Sequence, residues 1–197
     1  MQRDERLRIM EKIFMTRMKT EIPEYIARKL LNFTAPEKRE RILKQRTRQK
    51  ADILLLGDIL ARVAVRETFG IPAAAQKFTY GSYGKPHLAG YPDVHFNISH
   101  SGRAVVCAVS DRPVGIDIQT IEARRPALLE RVCTEGELRQ ILDSSDQASE
   151  FTRLWTQKEA VLKLHGTGIA HGDIRHCIQN ETIASKKVGE YWISIAY

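Results

Sequence analysis

The chain has 197 residues, of which 43% are hydrophobic and 28% charged, as in a globular protein with a buried core. The sequence has no apolar run of about 18 residues, the length that crosses a bilayer, and three scattered cysteines argue against a disulfide framework or a zinc site. The net charge of +7 favours a polyanion, a phosphorylated cofactor or an acidic protein as partner.

The first third of the chain predicts a weak strand followed by helices. Residues 13–15 suit a strand, and residues 22–33 carry the apolar spacing of a helix. Residues 37–50 hold seven lysines and arginines against two glutamates, a block that suits a polyanion or an acidic partner. From composition alone, a solvated helix face is the simpler explanation. Residues 51–69 predict a further helix, which ends at Gly70.

The middle of the chain changes to strand patterns. Residues 80–86 are rich in glycine and predict a turn. Residues 94–98 and 114–119 alternate apolar and polar side chains, which predicts half-buried strands. Residues 104–109 form a continuous apolar run, which is typical of a buried strand.

The last third mixes helices and strands. Helices are expected at residues 126–132, 135–142 and 149–164, and strands at 174–178 and 191–196. Several connections are too short for crossover helices, so the sheet is expected to be antiparallel at least in part. The pattern therefore predicts an α+β fold. The N-terminal residues lack an apolar segment with a small-residue cleavage site, which predicts a cytoplasmic protein without a secretory signal.

The predicted strand at residues 114–119 carries the first candidate for chemistry. Period-two geometry places Gly115, Asp117 and Gln119 on one face of this strand and its isoleucines on the other. A carboxylate between two buried isoleucines requires a compensating cation or donor. A salt bridge or a cap would satisfy Asp117 structurally, and a metal ion would satisfy it functionally.

The predicted helix at residues 149–164 carries the second candidate. Its segment 155–163, Trp-Thr-Gln-Lys-Glu-Ala-Val-Leu-Lys, places Glu159 and Lys163 four residues apart on one face. An exposed ion pair is the structural explanation. The functional explanation is that Glu159 joins Asp117 on a metal that takes oxygen ligands, while Lys163 holds a phosphate beside it.

Two further segments offer phosphate contacts. Residues 96–102, Phe-Asn-Ile-Ser-His-Ser-Gly, place Ser99 and His100 beside a glycine turn, which is a workable phosphate cradle. A loop histidine satisfied by its neighbours is the alternative. Lys85 follows Gly84 without the spacing of a Walker motif, so a solvated lysine is the alternative to a phosphate contact there.

The order of these segments resembles the Sfp-type 4′-phosphopantetheinyl transferases over residues 35–169. Gly-Lys-Pro stands at residues 84–86, Phe-Asn-Ile-Ser-His-Ser-Gly at 96–102 and Gly-Ile-Asp-Ile at 115–118. The segment Trp-x-x-Lys-Glu-Ala at residues 155–160 is similar to the subgroup with alanine after the glutamate. Each motif is weak by itself, and their combination in this order is highly specific.

The resemblance implies two pseudo-twofold-related α+β halves, residues 1–111 and 112–197, that act as one unit with the active site between them. It implies a holo-[acyl-carrier-protein] synthase type of enzyme. Such an enzyme uses Mg²⁺ to transfer the 4′-phosphopantetheine of coenzyme A to a serine of a carrier protein, releasing 3′,5′-ADP. The implied partners are coenzyme A and an acidic acyl- or peptidyl-carrier protein. Neither a nucleic acid nor a membrane is expected as a partner, and the protein is expected to be a monomer.

The resemblance also implies roles for individual residues. Asp117 and Glu159 would bind Mg²⁺, and Glu159 would serve as base for the serine. Lys163 would neutralise the diphosphate and assist the departing group. Further residues would contact coenzyme A or lie near the metal: Lys38, Arg41, Lys85, Ser99 and His100 for coenzyme A, and Glu137 near the metal.

Two features depart from the family pattern. Gln119 stands where many relatives carry a second acid, and it would serve the metal directly through its carbonyl oxygen or through a water. Few residues follow Ile169, so a short C-terminal sheet is expected. Two alternatives stay open: a coenzyme A-binding but inactive member, suggested by Gln119, and a basic nucleic-acid-binding module, suggested by residues 37–50. The carrier protein, whether of fatty-acid, polyketide or peptide synthesis, stays open as well.

Overall fold

The computed structural model describes residues 11–81, 83–123, 126–167 and 174–197. The N-terminal ten residues and Ile169, to which two of the expectations above refer, lie outside these ranges. Helices and antiparallel sheets alternate along the described chain, which confirms the α+β class. Within the same ranges, no helix has the length and apolar character needed to span a membrane.

The N-terminal half builds a three-stranded antiparallel sheet with a long helix across it. Its elements are β1 (Glu11–Arg17), α1 (Glu24–Leu31), α2 (Pro36–Leu43), α3 (Arg48–Phe69), β2 (Phe78–Tyr80), β3 (Pro86–Leu88), β4 (His95–Ser101) and β5 (Ala104–Ser110). The sheet has the order β1-β5-β4, and α3 packs on it. Strands β2 and β3 form a separate short hairpin.

The C-terminal half repeats this arrangement. Its elements are β6 (Gly115–Thr120), α4 (Pro126–Val132), α5 (Glu135–Asp143), α6 (Gln147–His165), β7 (Ile183–Val188) and β8 (Tyr191–Ala196). The second sheet has the antiparallel order β6-β8-β7, and α6 packs across it. Each half therefore places its longest helix on a three-stranded sheet.

Local signals in the sequence set the ends of the two long helices. Thr47 caps the start of α3, where its side-chain oxygen accepts a hydrogen bond from the Lys50 N–H at 3.3 Å. Asp146 caps α6 in the same way through the Ser149 N–H at 3.0 Å. Both helices end at a glycine with positive φ, Gly70 at 71° and Gly166 at 66°, a conformation that side chains disfavour.

The two halves meet along β4 and β6 through side chains rather than a backbone ladder. Asn97 on β4 accepts the Ile116 N–H through Oδ1 at 3.1 Å. Ser101, at the end of β4, accepts the Thr120 N–H at 2.9 Å. Between these two contacts, the Ser99 hydroxyl donates to Asp117 at 2.6 Å. Alternate residues of β4 thus hold β6 in place, and the middle contact belongs to the candidate site.

Strand β5 lies at the centre of the molecule because both its faces are buried. Cys107 and Val109 pack towards α3, whereas Val106 and Ala108 share a cluster with apolar residues of the second sheet. Every residue of β5 is buried, which explains the continuous apolar run in the sequence. The isoleucines of β6 join the second cluster, so the opposite face of β6 is free to carry Asp117.

In the C-terminal half, one predicted strand is wrong and one observed strand was not predicted. Residues 174–178 form turns instead of a strand, since the carbonyls of Ile174 and Arg175 accept hydrogen bonds from the Lys158 ammonium. The sequence reasoning missed β7, an edge strand that pairs with β8 alone and carries serine and lysines among its apolar residues. An edge strand with mixed polarity lacks the clean alternation of a half-buried strand.

Candidate active site

A cleft of about 710 Å³ lies between the two halves and is lined by residues of both. Its walls come from α2, the β2–β3 hairpin and β4 on one side and from β6 and α6 on the other. The structure brings nine of the ten residues expected at the site to this cleft: Lys38, Arg41, Lys85, Ser99, His100, Asp117, Gln119, Glu159 and Lys163.

Asp117 is the most enclosed acid in the cleft and has three side-chain partners. It is 1% exposed. Its Oδ1 accepts hydrogen bonds from Ser99 Oγ at 2.6 Å and from Lys163 Nζ at 2.6 Å. Its Oδ2 accepts from Gln119 Nε2 at 3.1 Å. The carboxylate therefore obtains the cation and the donors that its burial requires.

The strand β6 turns Gly115 and Asp117 towards α6, as the period-two prediction expected. A Cβ atom at Gly115 would lie 2.0 Å from the Ala160 carbonyl oxygen and 2.4 Å from the Leu164 nitrogen. The α6 backbone therefore occupies the space that a side chain at Gly115 would fill. This close approach brings Lys163, on α6, within reach of Asp117 on β6.

Glu159 lies one turn before Lys163 on α6 and also lines the cleft. Burial and the neighbouring negative charge of Asp117 raise the pKa of Glu159 to about 7, although Lys163 opposes the rise. A carboxyl group with a pKa near neutrality can accept a proton at physiological pH. The effect of Asp117 on this pKa indicates that the two carboxylates lie near each other in the cleft.

These two carboxylates fit a hard divalent cation. The negative charges of Asp117 and Glu159 repel each other, and a bound cation would relieve this repulsion. Carboxylate oxygens are also the ligands that Mg²⁺ prefers. No cluster of three or more acidic, histidine or cysteine ligands occurs within the residues that the structure describes. Mg²⁺ accepts such a sparse set because it commonly keeps several waters.

Positive charge gathers at another part of the cleft wall. Burial, followed by the charge of Arg41, lowers the pKa of Lys38, and Asp58 opposes this. His100 reaches solvent, yet desolvation within the cleft and the positive charges of Lys163 and Lys38 lower the pKa of its imidazole. Cations that depress one another's pKa in this way mark a site that favours an anion.

Lys85 lines the same cleft, but its ammonium is engaged by backbone. Its Nζ donates to the Leu164 carbonyl at 2.6 Å and to the Val114 carbonyl at 3.3 Å. Burial lowers the pKa of this ammonium. The sequence reasoning expected a phosphate contact or a solvated loop lysine here, and the structure shows a link between the two halves.

The structure does not bring Glu137 to the cleft, which corrects its expected place near the metal. The Glu137 carboxylate accepts the Thr134 N–H at 2.7 Å in a capping box at the start of α5. Its other oxygen pairs with Lys158 Nζ at 2.9 Å. Both oxygens are therefore used to join α5 to α6.

Lys158 is the residue that the sequence reasoning overlooked. It is fully buried, and its ammonium contacts Glu137 and the carbonyls of Ile174 and Arg175 at 2.7–3.0 Å. A signal was present, because Lys158 continues the apolar spacing of Leu154 and precedes Glu159. A lysine in an apolar stripe requires buried partners.

We expect Lys158→Met to lower the free energy of unfolding by about 4 kcal/mol, because it leaves the largely buried Glu137 carboxylate without its cation and two carbonyls without their donor. Urea unfolding at neutral pH measures this change. Lys44→Met is the matched control, since Lys44 forms an exposed ion pair with Glu40 at 2.6 Å and should change stability by less than about 1 kcal/mol. Equal effects of the two substitutions would contradict the role assigned to Lys158.

Comparison with known proteins matches both halves of the chain. A family model described as 4′-phosphopantetheinyl transferase, N-terminal, matches residues 21–112, and one described as the 4′-phosphopantetheinyl transferase superfamily matches residues 113–193. The two matches adjoin at the start of the second sheet and together extend over both walls of the cleft.

Curated relatives agree with the family models. The 4′-phosphopantetheinyl transferase Sfp of Bacillus subtilis is 35% identical over 144 residues, which cover 72% of this chain and 64% of the relative. The transferase gsp of Aneurinibacillus migulanus is 36% identical over 154 residues, 75% of this chain and 64% of that protein. The L-aminoadipate-semialdehyde dehydrogenase-phosphopantetheinyl transferase of Mus musculus is 35% identical over 150 residues, 68% of this chain and 48% of that protein.

The chain spans less than two thirds of the length of these relatives. Residues of each motif on which the resemblance was based line the cleft. Since family models match both halves and curated relatives agree, the chain belongs to the Sfp-type 4′-phosphopantetheinyl transferases.

Proposed function

We propose that this protein transfers the 4′-phosphopantetheine arm of coenzyme A to a serine hydroxyl of a carrier protein. The observation that carries the proposal is the convergence of Asp117, Glu159 and Lys163 in one cleft whose wall also bears Lys38 and Arg41. An acid pair beside a row of cations suits a substrate with a diphosphate and a further phosphate. The relatives from Bacillus subtilis and Aneurinibacillus migulanus are named as 4′-phosphopantetheinyl transferases, which supports this transfer.

The proposed reaction is a phosphoryl transfer in which bonds and charges balance. The serine oxygen forms a bond to the phosphorus that carries the pantetheine arm. The bond from that phosphorus to the bridging oxygen breaks, and 3′,5′-ADP leaves with the electron pair. Glu159 accepts the serine proton, directly or through a water, which its pKa of about 7 permits. Chemistry of this kind depends mainly on positioning and charge neutralisation.

Asp117 and Glu159 would hold Mg²⁺, with Gln119 as a further ligand directly or through a water. The cation, when bound, would offset negative charge that develops on the diphosphate. Lys163 supplies a second positive charge from the protein itself, beside Asp117. Gln119 donates to Asp117 and fixes the orientation of its carboxylate.

The nucleotide end of coenzyme A would bind at the cationic part of the wall. Lys38 and Arg41 would contact the 3′-phosphate by charge, and His100 by a hydrogen bond from its imidazole. Ser99 and the β2–β3 hairpin line the same cleft. Arg41 is exposed, so its contact depends on the salt concentration more than the contact of the half-buried Lys38 does.

The carrier protein would be acidic. The segment of residues 37–50, on α2 and the start of α3, presents exposed cations such as Lys44, Arg46 and Lys50 beside the cleft residues Lys38 and Arg41. Opposite charge on the carrier would speed the encounter and orient the two proteins. A cytoplasmic monomer is part of the same proposal.

Incubation with coenzyme A, Mg²⁺ and several apo carrier proteins, followed by intact mass measurement, tests the function. The expected result is a mass gain of one phosphopantetheine on at least one carrier and its loss when a chelator is added. Binding of coenzyme A without transfer to any carrier would instead identify an inactive family member. Steep salt-dependent DNA binding without coenzyme A binding would favour a nucleic-acid-binding module.

The pKa of Glu159 predicts how the rate depends on pH. A base must be deprotonated to accept the serine proton, and the pKa of about 7 belongs to the metal-free site. Bound Mg²⁺ would lower this pKa, so kcat/KM should rise about tenfold per pH unit on the acid side and level off at or below about pH 7. Steady-state kinetics between about pH 5.5 and 8.5 measure this profile. A rate that falls as the pH rises through this window would contradict the assignment of Glu159 as base.

A further inference from the structure

The β2–β3 hairpin holds Lys85 in a defined backbone position. Gly84, with φ of 80°, donates its N–H to the Gly81 carbonyl at 2.8 Å, and Gly81 donates to the Lys85 carbonyl at 2.9 Å. The turn therefore fixes where the Lys85 side chain begins. The side chain leaves the N-terminal half and ends on backbone of the C-terminal half.

The atoms that Lys85 contacts belong to the two elements that carry the acids of the site. Leu164 lies in the last turn of α6, directly after Lys163, and Val114 directly precedes β6, three residues before Asp117. The Lys85 ammonium bonds both carbonyls, at 2.6 Å and 3.3 Å. One side chain thus holds the end of α6, the start of β6 and the hairpin together.

The end of α6 suits a cation. The last carbonyls of a helix have no partner within the helix and carry the negative end of its dipole. Gly166 and Thr167 donate their N–H groups to the Leu162 carbonyl, which leaves Leu164 to the Lys85 ammonium. The Lys85 side chain also packs on Gly166, where a Cβ would lie 3.4 Å from Lys85 Cδ.

We propose that Lys85 is a positioning residue whose ammonium fastens the end of α6 and the start of β6 to the β2–β3 hairpin. It thereby sets the distance of Lys163 and Asp117 from the opposite wall of the cleft, which is formed by α2, the β2–β3 hairpin and β4. Its contribution to the reaction is geometric, because its donors are directed at two carbonyls instead of the open cleft. The kinetic consequence rests on the proposed function, whereas the structural consequence can be measured without it.

Lys85→Met removes the ammonium and keeps the apolar stem, and Lys77→Met is the matched control because Lys77 is exposed on the same half and lies outside the cleft. Hydrogen exchange of the segment 160–167 reports on the end of α6. We expect exchange there to become about tenfold faster in Lys85→Met and to stay unchanged in Lys77→Met. Unchanged exchange in Lys85→Met would overturn the proposal, even if the wild-type protein transferred nothing.

Kinetics with coenzyme A and a carrier separate positioning from phosphate binding. We expect Lys85→Met to lower kcat about thirtyfold with KM for coenzyme A within about threefold, because misplaced groups slow the chemical step. A KM raised about tenfold or more at unchanged kcat would show phosphate binding and overturn the proposal. The kcat of Lys85→Arg, which keeps the charge and the N–H donors, should lie between those of Lys85→Met and wild type. Lys85→Arg serves as the test variant if Lys85→Met does not fold.

Discussion

Glu159→Gln should lower kcat about a thousandfold while the protein stays folded. The amide keeps the size of the side chain but cannot accept the serine proton, and it binds a hard cation less well than a carboxylate does. Asp117→Asn should reduce the rate by a similar factor, because it removes the negative charge that pairs with Lys163 and that would hold the cation. Transfer to an apo carrier, followed by mass measurement or by product release, gives both rates.

The stability of Glu159→Gln should change in the opposite direction from its activity. The folded-state pKa of Glu159 is raised to about 7 from its ordinary value of 4.5, so ionisation of this group weakens the fold progressively between those two pH values. The glutamine variant does not ionise and should therefore gain stability relative to wild type as the pH rises through this window. Thermal unfolding at pH 5 and pH 8 measures the difference.

Glu135→Gln is the matched control for Glu159→Gln. Glu135 is a highly exposed carboxylate on α5, with a 3.4 Å ion pair to Arg139, and it lies outside the cleft. Its substitution should leave the rate within about twofold of wild type, since exposed helix pairs contribute little. A Glu159→Gln variant as active as Glu135→Gln would refute the role proposed for Glu159.

Gly115→Ala should destabilise the protein by about 3 kcal/mol, the upper end of what overpacking usually costs. The added Cβ would lie 2.0 Å from the Ala160 carbonyl oxygen and 2.4 Å from the Leu164 nitrogen. Both are backbone atoms of α6, so α6 or β6 must shift. A shift there moves Lys163 away from Asp117, and activity should fall together with stability. Urea unfolding and the transfer assay on the same variant measure the two effects.

Gly57→Ala provides the contrast for this second prediction. Gly57 is a buried glycine within α3, and a Cβ there would lie 3.4 Å from Ile98 Cγ2, which is ordinary contact. The substitution should stabilise the protein by up to about 1 kcal/mol, because alanine favours a helix more than glycine does. Equal destabilisation by the two substitutions would show that loss of glycine, rather than the close approach of α6 to β6, causes the effect.

The local elements of this protein follow from its sequence to a large extent. The positions of α3, α6, β5 and β8 were predictable because long apolar periodicity, capping residues and terminal glycines act between neighbours in the chain. The exceptions have different causes. The turns at residues 174–178 depend on Lys158, which is distant in sequence. The edge strand β7 pairs with β8, its neighbour in the chain, and was missed because its mixed polarity lacks a clean alternation.

The sequence by itself determined which residue types carry the chemistry. An acid on the polar face of a strand and a Glu–Lys pair on one helix face follow from periodicity, and their order along the chain indicated the family. The tertiary structure decided which of the expected residues meet. Lys163 pairs with Asp117, across the contact between α6 and β6, and Glu137 pairs with Lys158 away from the cleft.

The tertiary structure decides which residues meet because the local sequence pattern predicts the face on which a side chain lies, but not the residue that it contacts. The sequence offered Lys85 as a phosphate contact or a solvated lysine and Lys158 only as part of the Trp-x-x-Lys-Glu-Ala segment. The structure places the ammonium of each on backbone carbonyls. Those carbonyls lie 79 and 17 residues away along the chain. The Lys85 contact joins the two halves and the Lys158 contact lies within the C-terminal half, but both form only in the folded molecule. The tertiary structure alone therefore decided which lysines join elements and which remain for an anion.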